Sequence, residues 1–363
     1  MITCRMLFNA SAHRRPIRKR KEGNVMVSKA ARPTAILLSL IGLLSLAISR
    51  AGGETIDEVY KKALKEEGVL NCYCSLAQIN AEKIYPVFEK RFPGIKINHV
   101  DATSDKLSAR AITEARGGRT IADVVEFGLE DINKIQAQGL ILDKPPPEAE
   151  AYPANLKGPF WTANNLIFFV GAWNTDKVKK EEEPKVLDDF ADPRWKGRLI
   201  AEPRDYEFLI GLTHKHNSLE KARAILARIA ANNVEFHKGH SQLAEFIVAG
   251  QAAACFTCYS HHYPSRKRKG APVDYMLSEG AAGIIAVAVM KNPPHPNTAW
   301  LFSRWAASEE GQTVYAKGGR TPAHPKVEPT EKIRPQTIYA VGVEDLKQYS
   351  KYEKVWKEVF KLR

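Results

Sequence analysis

The sequence predicts an α/β fold, and three observations predict it. Helical and strand-like apolar periods alternate along the chain, glycine and proline punctuate the alternation, and 44% of the 363 residues are hydrophobic against 26% charged. That length and composition supply a core for two domains and exclude disorder and collagen-like repeats. Five cysteines are too few for a disulfide scaffold.

Ile56, Val59, Tyr60, Ala63 and Leu64 share one helical face that stops at Gly68, and residues 69–75 follow as a buried strand. Ile84, Val87 and Phe88 form the next helical stripe, ended by Pro93-Gly94, and residues 95–100 alternate as a strand. Leu107, Ala111, Ile112 and Ala115 mark a helix that ends at Gly117-Gly118, before a strand at 122–127. A helix through Ile132 and Ile135 ends near Gly139, and Lys144-Pro145-Pro146-Pro147 reads as an extended surface connection. Residues 166–173 form an apolar strand suited to pass between lobes. A second alternation follows, with a strand at 198–201, helices around 208–212, 222–231 and 243–248, and a strand at 252–259. Residues 283–290 are apolar enough for a fully buried strand, and Trp300, Leu301, Trp305 and Ala306 lie on one helical face. Such alternation predicts a mainly parallel sheet.

The formal charge of +13 is concentrated near the N-terminus, where residues 1–51 hold ten basic side chains and one acid, Glu22. The other 312 residues carry 44 basic and 40 acidic groups, a balance that gives no electrostatic footprint for nucleic acid. A basic stretch, an apolar segment at 36–48 and small residues up to Ala51 form the order of an export signal cleaved near Ala51. The other reading is a membrane anchor, but only 17 uncharged residues separate Arg32 from Arg50, short of the ~20 that a spanning helix needs. No cysteine follows until Cys72, which argues against lipid attachment at a new N-terminus. A start at Met26 leaves a more compact charged leader than a start at Met1.

The exported part resembles the solute-binding proteins of bacterial ABC importers, in particular their ferric-iron-type group. The matching segments are Tyr60-Lys61-Lys62-Ala63 with Glu67-Gly68, Phe88 with Phe92-Pro93-Gly94-Ile95-Lys96, and Thr113-Glu114-Ala115-Arg116-Gly117-Gly118-Arg119 with Ala122-Asp123-Val124. They continue through Trp173-Asn174-Thr175, Asp192-Pro193-Arg194-Trp195-Lys196-Gly197-Arg198, Lys269-Gly270-Ala271-Pro272-Val273, Pro296-Asn297-Thr298-Ala299 and Ser308-Glu309-Glu310-Gly311-Gln312. The resemblance implies a two-lobed, type II periplasmic-binding-protein fold whose lobes close on a ligand in the cleft between them. It assigns residues 54–168 and 280–327 to the first lobe, and 169–279 with the C-terminal helix, 328–363, to the second.

Ligands in open α/β sheets sit beyond the carboxyl ends of strands, so the candidate site residues follow strands. Ser75 ends the first strand, as either an anion-facing hydroxyl or a plain loop serine. Arg204 and Tyr206 follow the first strand of the second alternation, where Arg204 suits a carboxylate or phosphate clamp or else a surface pair with Asp205. Tyr259, Ser260 and His261 belong to Cys258-Tyr259-Ser260-His261-His262-Tyr263, the densest run of ligand-capable side chains. In the iron carriers that the chain resembles, two adjacent tyrosines here bind ferric iron, since phenolate suits a hard trivalent cation. Ser260 and His261 occupy that pair's positions, and Ala77 and Gly128 stand where a His and a Glu of the other lobe are expected. Fe3+ or another metal ion is therefore a possible transported ligand with no assigned metal-binding residues.

Cys72-x-Cys74 and Cys255-x-x-Cys258 invite a zinc or copper reading. Residues three apart on an extended strand are ~10 Å apart and face opposite sides, so Cys255 and Cys258 are expected neither to chelate together nor to form a disulfide, whose Cα limit is ~7 Å. Cys72 and Cys74 share a face and are expected as buried core thiols. Arg266-Lys267-Arg268-Lys269 is expected as a solvated or docking surface.

The expectation from sequence is a non-enzymatic, monomeric periplasmic receptor. It binds a small molecule or metal ion and hands it to an ABC permease by hinge closure. The alternatives are an exported thiol- or metal-dependent hydrolase using the same cleft and a receptor that feeds a membrane sensor.

Overall fold

The computed structural model describes residues 54–363. The export segment, its cleavage near Ala51 and the alternative start at Met26 lie outside the described residues. From Thr55 the chain runs α1 (Ile56–Ala63), β1 (Val69–Cys74), α2 (Gln78–Arg91), β2 (Lys96–Asp101), α3 (Ser104–Arg116), β3 (Val124–Gly128) and α4 (Leu129–Gln136). Thr55 and Glu58 close a capping box that starts α1. Gly68, at φ +72°, turns the chain into β1 where a Cβ would collide with the Gly94 carbonyl. In α2, Ala81, Ile84, Tyr85 and Phe88 form the buried face, whereas Val87, expected on that stripe, is exposed. One residue on a helix turns ~100°, which carries position 87 off the face that 88 occupies.

The long strand β4 (Thr162–Asn174) leads into β5 (Leu199–Ala201), α5 (Tyr206–His216), α6 (Leu219–Ala230), β6 (Glu235–Phe236), α7 (His240–Val248) and β7 (Ala254–Tyr259). Then come α8 (Pro264–Arg268), β8 (Val273–Tyr275), β9 (Glu279–Val289), α9 (Pro296–Ala307), α10 (Glu309–Lys317), β10 (Thr321–Pro322), β11 (Thr337–Ala340), α11 (Val343–Lys347) and α12 (Tyr349–Phe360).

The main sheet has the order β2-β1-β3-β9-β4-β7-β5-β6. Its ends are parallel, β2-β1-β3 on one side and β7-β5-β6 on the other. Its middle is antiparallel, because β9 pairs against β3 and β4, and β4 against β7. This corrects the mainly parallel expectation. β4 and β9 belong to no short crossover unit, and an apolar run buried on both faces carries no record of direction. β9 gives residues 285–289 to β3, while β4 gives residues 169–173 to β7, so the two strands cross from one half of the sheet to the other.

Apolar layers cover both sides of each half. Phe88, Trp305 and Tyr315 lie in one layer over β1, Phe127 and Ile132 in the opposite one, and Phe208, Phe256 and Trp356 in a layer of the second half. No helix among the described residues is long and apolar enough to cross a membrane.

Both cysteine pairs are disulfides. Cys72 and Cys74 are joined along β1 with Cα atoms 5.5 Å apart, and Cys255 and Cys258 along β7 with Cα atoms 5.7 Å apart. The first overturns the expectation of buried core thiols, and the second overturns the expectation from extended-strand geometry. Between the pairs Val170–Cys258 and Ala172–Cys255 the register shifts, and the resulting bulge shortens β7 and turns both sulfurs to one side.

Candidate functional site

Where β4 and β9 cross, a cavity of about 520 Å³ opens between the two halves of the sheet. Its walls come from the carboxyl ends of strands: Ser75 after β1, Thr103 after β2, Glu130 after β3, the segment 202–207 after β5, and Tyr259 with His261 at the end of β7. Ile167 and Phe169 of β4 and Ile284 and Ile285 of β9 add an apolar surface.

Among the expected site residues, Ser75, Arg204, Tyr259 and His261 line this cavity. Ser75 donates its backbone N–H to the Glu126 carbonyl at 2.9 Å, leaving the hydroxyl beside the cavity. Arg204 does not pair with Asp205. Its Nη1 lies 2.9 Å from Asp105 Oδ1 of α3 and its Nη2 3.1 Å from Asp131 Oδ2 of α4, so one guanidinium ties the segment after β5 to two helices of the other half. Burial opposes its charge, but Asp131 and Asp105 more than offset that, and its pKa is raised.

Tyr206 turns away from the cavity, a correction to its expected role. Its ring packs 5.5 Å from Tyr349 and 6.2 Å from Trp356, and its Oη meets Glu353 at 3.5 Å. As the first residue of α5 it points back into the core between that helix and α12. Ser260 is likewise outside the cavity, buried in a 3-10 turn with no hydrogen-bond partner for its hydroxyl. The positions of a metal-binding tyrosine pair therefore place a single ring, His261, at the cavity wall. Arg320 Nη1 donates to His261 Nε2 at 2.7 Å, and burial together with Arg320 holds the His261 pKa well below the usual value.

Tyr259 stacks on His240 with ring centroids 3.4 Å apart and meets Phe169 edge-on at 5.1 Å. Four carboxylates gather near it. Burial, followed by the charge of Asp205, pushes Glu202 and Glu207 up to about 7. Burial also raises Asp205 well above its ordinary value, and burial with Glu207 and Asp131 does the same to Glu130. Burial lowers His240 to about 4, so it is neutral at physiological pH.

The sequence reading missed Glu130, Glu202, Glu207, His240 and Arg320. A signal existed for two of them, because Glu202-Pro203-Arg204-Asp205-Tyr206-Glu207 places three acids just after a strand. Glu130 owes its position to Gly128, where a Cβ would collide with the Glu130 carboxylate. Arg320 reaches the cavity from beyond α10, and nothing local marks it.

Among the described residues, the one group of three His, Cys, Asp or Glu ligand atoms within 4.8 Å of one another is Cys72, Cys74 and Glu126, and both of its sulfurs are tied in the disulfide. Glu126 lies buried beneath the cavity, accepting hydrogen bonds from Tyr315 Oη at 2.9 Å and Asn164 Nδ2 at 2.7 Å. The basic run forms α8 and its end, with Arg266 paired to Glu245, Lys267 to Asp274 and Arg268 to Glu331. It is a salt-bridged surface.

Arg204→Ala removes the tie between the two halves while leaving Asp131 its second partner, Lys134. The expected cost to the joined arrangement is ~1–2 kcal/mol, since Arg204 and Asp105 are partly exposed and the buried Asp131 keeps Lys134. Small-angle scattering of the ligand-free variant is expected to show a larger radius of gyration than that of the unaltered protein.

Residues 83–339 match the family of bacterial extracellular solute-binding proteins. An uncharacterized protein of Haemophilus influenzae is 27% identical over 271 residues, covering 70% of this chain and 77% of the relative. The Fe(3+)-binding periplasmic protein of Serratia marcescens is 24% identical over 191 residues, 47% of this chain and 55% of that protein. The solved periplasmic binding protein AfuA from Actinobacillus pleuropneumoniae, with fructose-6-phosphate bound, superposes with a TM-score of 0.67 at 20% identity, over 82% of this chain and all of AfuA. At that identity the superposition shows a shared fold, the two-lobed type II arrangement.

Proposed function

The chain belongs to the bacterial extracellular solute-binding protein family, and from that premise we propose that it is a periplasmic receptor that delivers a small polar ligand to an ABC permease, without chemistry of its own. The observation that carries this reading is the cavity at the crossing of β4 and β9, walled from both halves and bridged at its edge by Arg204, Asp105 and Asp131. Ligand contacts made from both walls at once exist only in the closed form. Binding therefore shifts the population toward closure, and the permease distinguishes closed from open.

The proposed lobes are residues 54–168 with 280–327, and 169–279 with 328–363. The packing of Trp356 against Phe256 and Tyr206 supports assigning the C-terminal helix to the second. The proposed state is a monomer in the periplasm. The Serratia relative is an Fe(3+)-binding protein, but here the tyrosine-pair positions hold a buried Ser260 and an Arg320-bonded His261, which argues against ferric ion as this chain's ligand.

Native mass spectrometry of the exported protein tests the reading by the mass that it carries. Adding that compound at a hundred times its dissociation constant is expected to stabilise the fold by ~2.7 kcal/mol and to reduce the radius of gyration. An unchanged radius at saturation counts against closure.

A further inference from the structure

We propose that the cleft selects a small organic cation carrying protonated amines. The inference deepens the receptor reading and rests on it. Its first support is charge. Glu130, Glu202, Asp205 and Glu207 line one end of the cavity. Of the cations in the lining, Arg204 is held by Asp105 and Asp131, Arg320 donates from its two Nη atoms to His261 and Asn165 while its Nε has no partner, and Lys106 is exposed at the rim. An anionic ligand at the acidic end would meet four carboxylates, whereas an ammonium group meets acceptors.

The second support is a buried acid fixed in the wall. Asp205 is only 3% exposed, its Oδ1 lies 3.1 Å from His240 Nε2, and Thr257 also hydrogen-bonds its carboxyl, which holds the group beside the cavity. The third support is the wall beside it. Phe169, Tyr259 and the neutral His240 form a continuous aromatic surface, which suits a cation held against ring faces. Ile167, Ile284 and Ile285 give methylene groups an apolar bed.

No three His, Cys, Asp or Glu ligand atoms of the cavity come within 4.8 Å of one another among the described residues, so the acids as placed form no ready chelate for one small ion. Burial raises the empty-cleft carboxylates toward neutrality, and an ammonium group beside them reverses the shift and expels protons. The groups facing them are Arg204, Asp131, His240, Tyr259 and Tyr349, and His240, at about 4, stays neutral through the range in which Glu202 and Glu207 titrate.

The test is titration calorimetry of the mature protein with 1,4-diaminobutane, spermidine and ethanolamine, set against fructose-6-phosphate, inorganic phosphate and ferric citrate. At least one amine is expected to bind, with affinity rising at least fivefold from pH 6 to pH 8 and protons released in proportion. Glu207→Gln and Asp205→Asn are each expected to weaken that amine tenfold or more, and melting of the unliganded variants shows whether they are folded. The Glu207 variant should melt higher than the unaltered protein, a combination that damage to the fold does not produce. Binding by none of the three amines, or binding by an anion or ferric ion alone, overturns the cation assignment. If an anion or ferric ion binds and compacts the protein, the receptor reading stands without it. If no bound mass and no compaction are found with any compound, the receptor reading itself fails.

Discussion

Glu207→Gln is expected to leave stability unchanged at pH 4.5 and to raise it by ~3 kcal/mol at pH 8, relative to the unaltered protein. The folded-state pKa of Glu207 is pushed up from 4.5 to about 7 by burial and then by Asp205. A carboxyl whose pKa is raised on folding binds more protons folded than unfolded. Its contribution is therefore fully present below the unfolded value and is lost as pH rises from 4.5 through about 7. Glutamine does not titrate and still accepts the hydrogen bond that Tyr349 Oη donates at 2.8 Å. The three histidines at the cleft, His240, His261 and His262, shift the other way, since burial lowers each of them. Their contribution is common to both proteins and cancels in the difference. Urea unfolding of the pair across pH 4.5–8 measures it, and parallel curves would show that Glu207 is not held near neutrality in the folded state.

Trp356→Ala is expected to cost ~3–5 kcal/mol, the range for deleting a large buried aromatic. Trp356 is fully buried, with Phe360 at 4.7 Å and Tyr206 at 6.2 Å, and its Nε1 donates to the Pro203 carbonyl at 2.9 Å. That carbonyl lies between Glu202 and Arg204, so α12 braces the segment that lines the cleft. Trp356→Phe keeps most of the packing and loses the hydrogen bond, with an expected cost of ~1–3 kcal/mol for the carbonyl left unpaired. Chemical denaturation gives both values. A loss below ~1 kcal/mol for the alanine variant would mean that the helix docks weakly.

Much of the fold was legible in the sequence because it depends on local period. The stripe through Ile84 and Phe88, the turn at Gly68 and the strands at 69–75 and 252–259 each follow from residues close in sequence. The family resemblance carried further, from ordered segments such as Asp192-Pro193-Arg194-Trp195 to the two-lobed fold and the receptor role. The strand-end rule marked Ser75, Arg204, Tyr259 and His261, which line the cleft, and also Tyr206 and Ser260, which do not.

What the tertiary structure alone decided is direction, pairing and charge environment. The antiparallel run of β4 and β9 comes from a crossing between halves, and a buried apolar strand reads the same in either direction. The disulfide between Cys255 and Cys258 required a bulge that spacing on an ideal strand forbids. Arg204 found its partners at positions 105 and 131, and Arg320 arrived beside a histidine 59 residues away, because through-space contacts leave no mark on local sequence. The same holds for Glu130, Glu202, Asp205 and Glu207. Each is an ordinary acid where it stands in the chain, and only the fold brings them to one end of a cavity, where burial and mutual repulsion raise their pKa values and set what charge the cleft accepts.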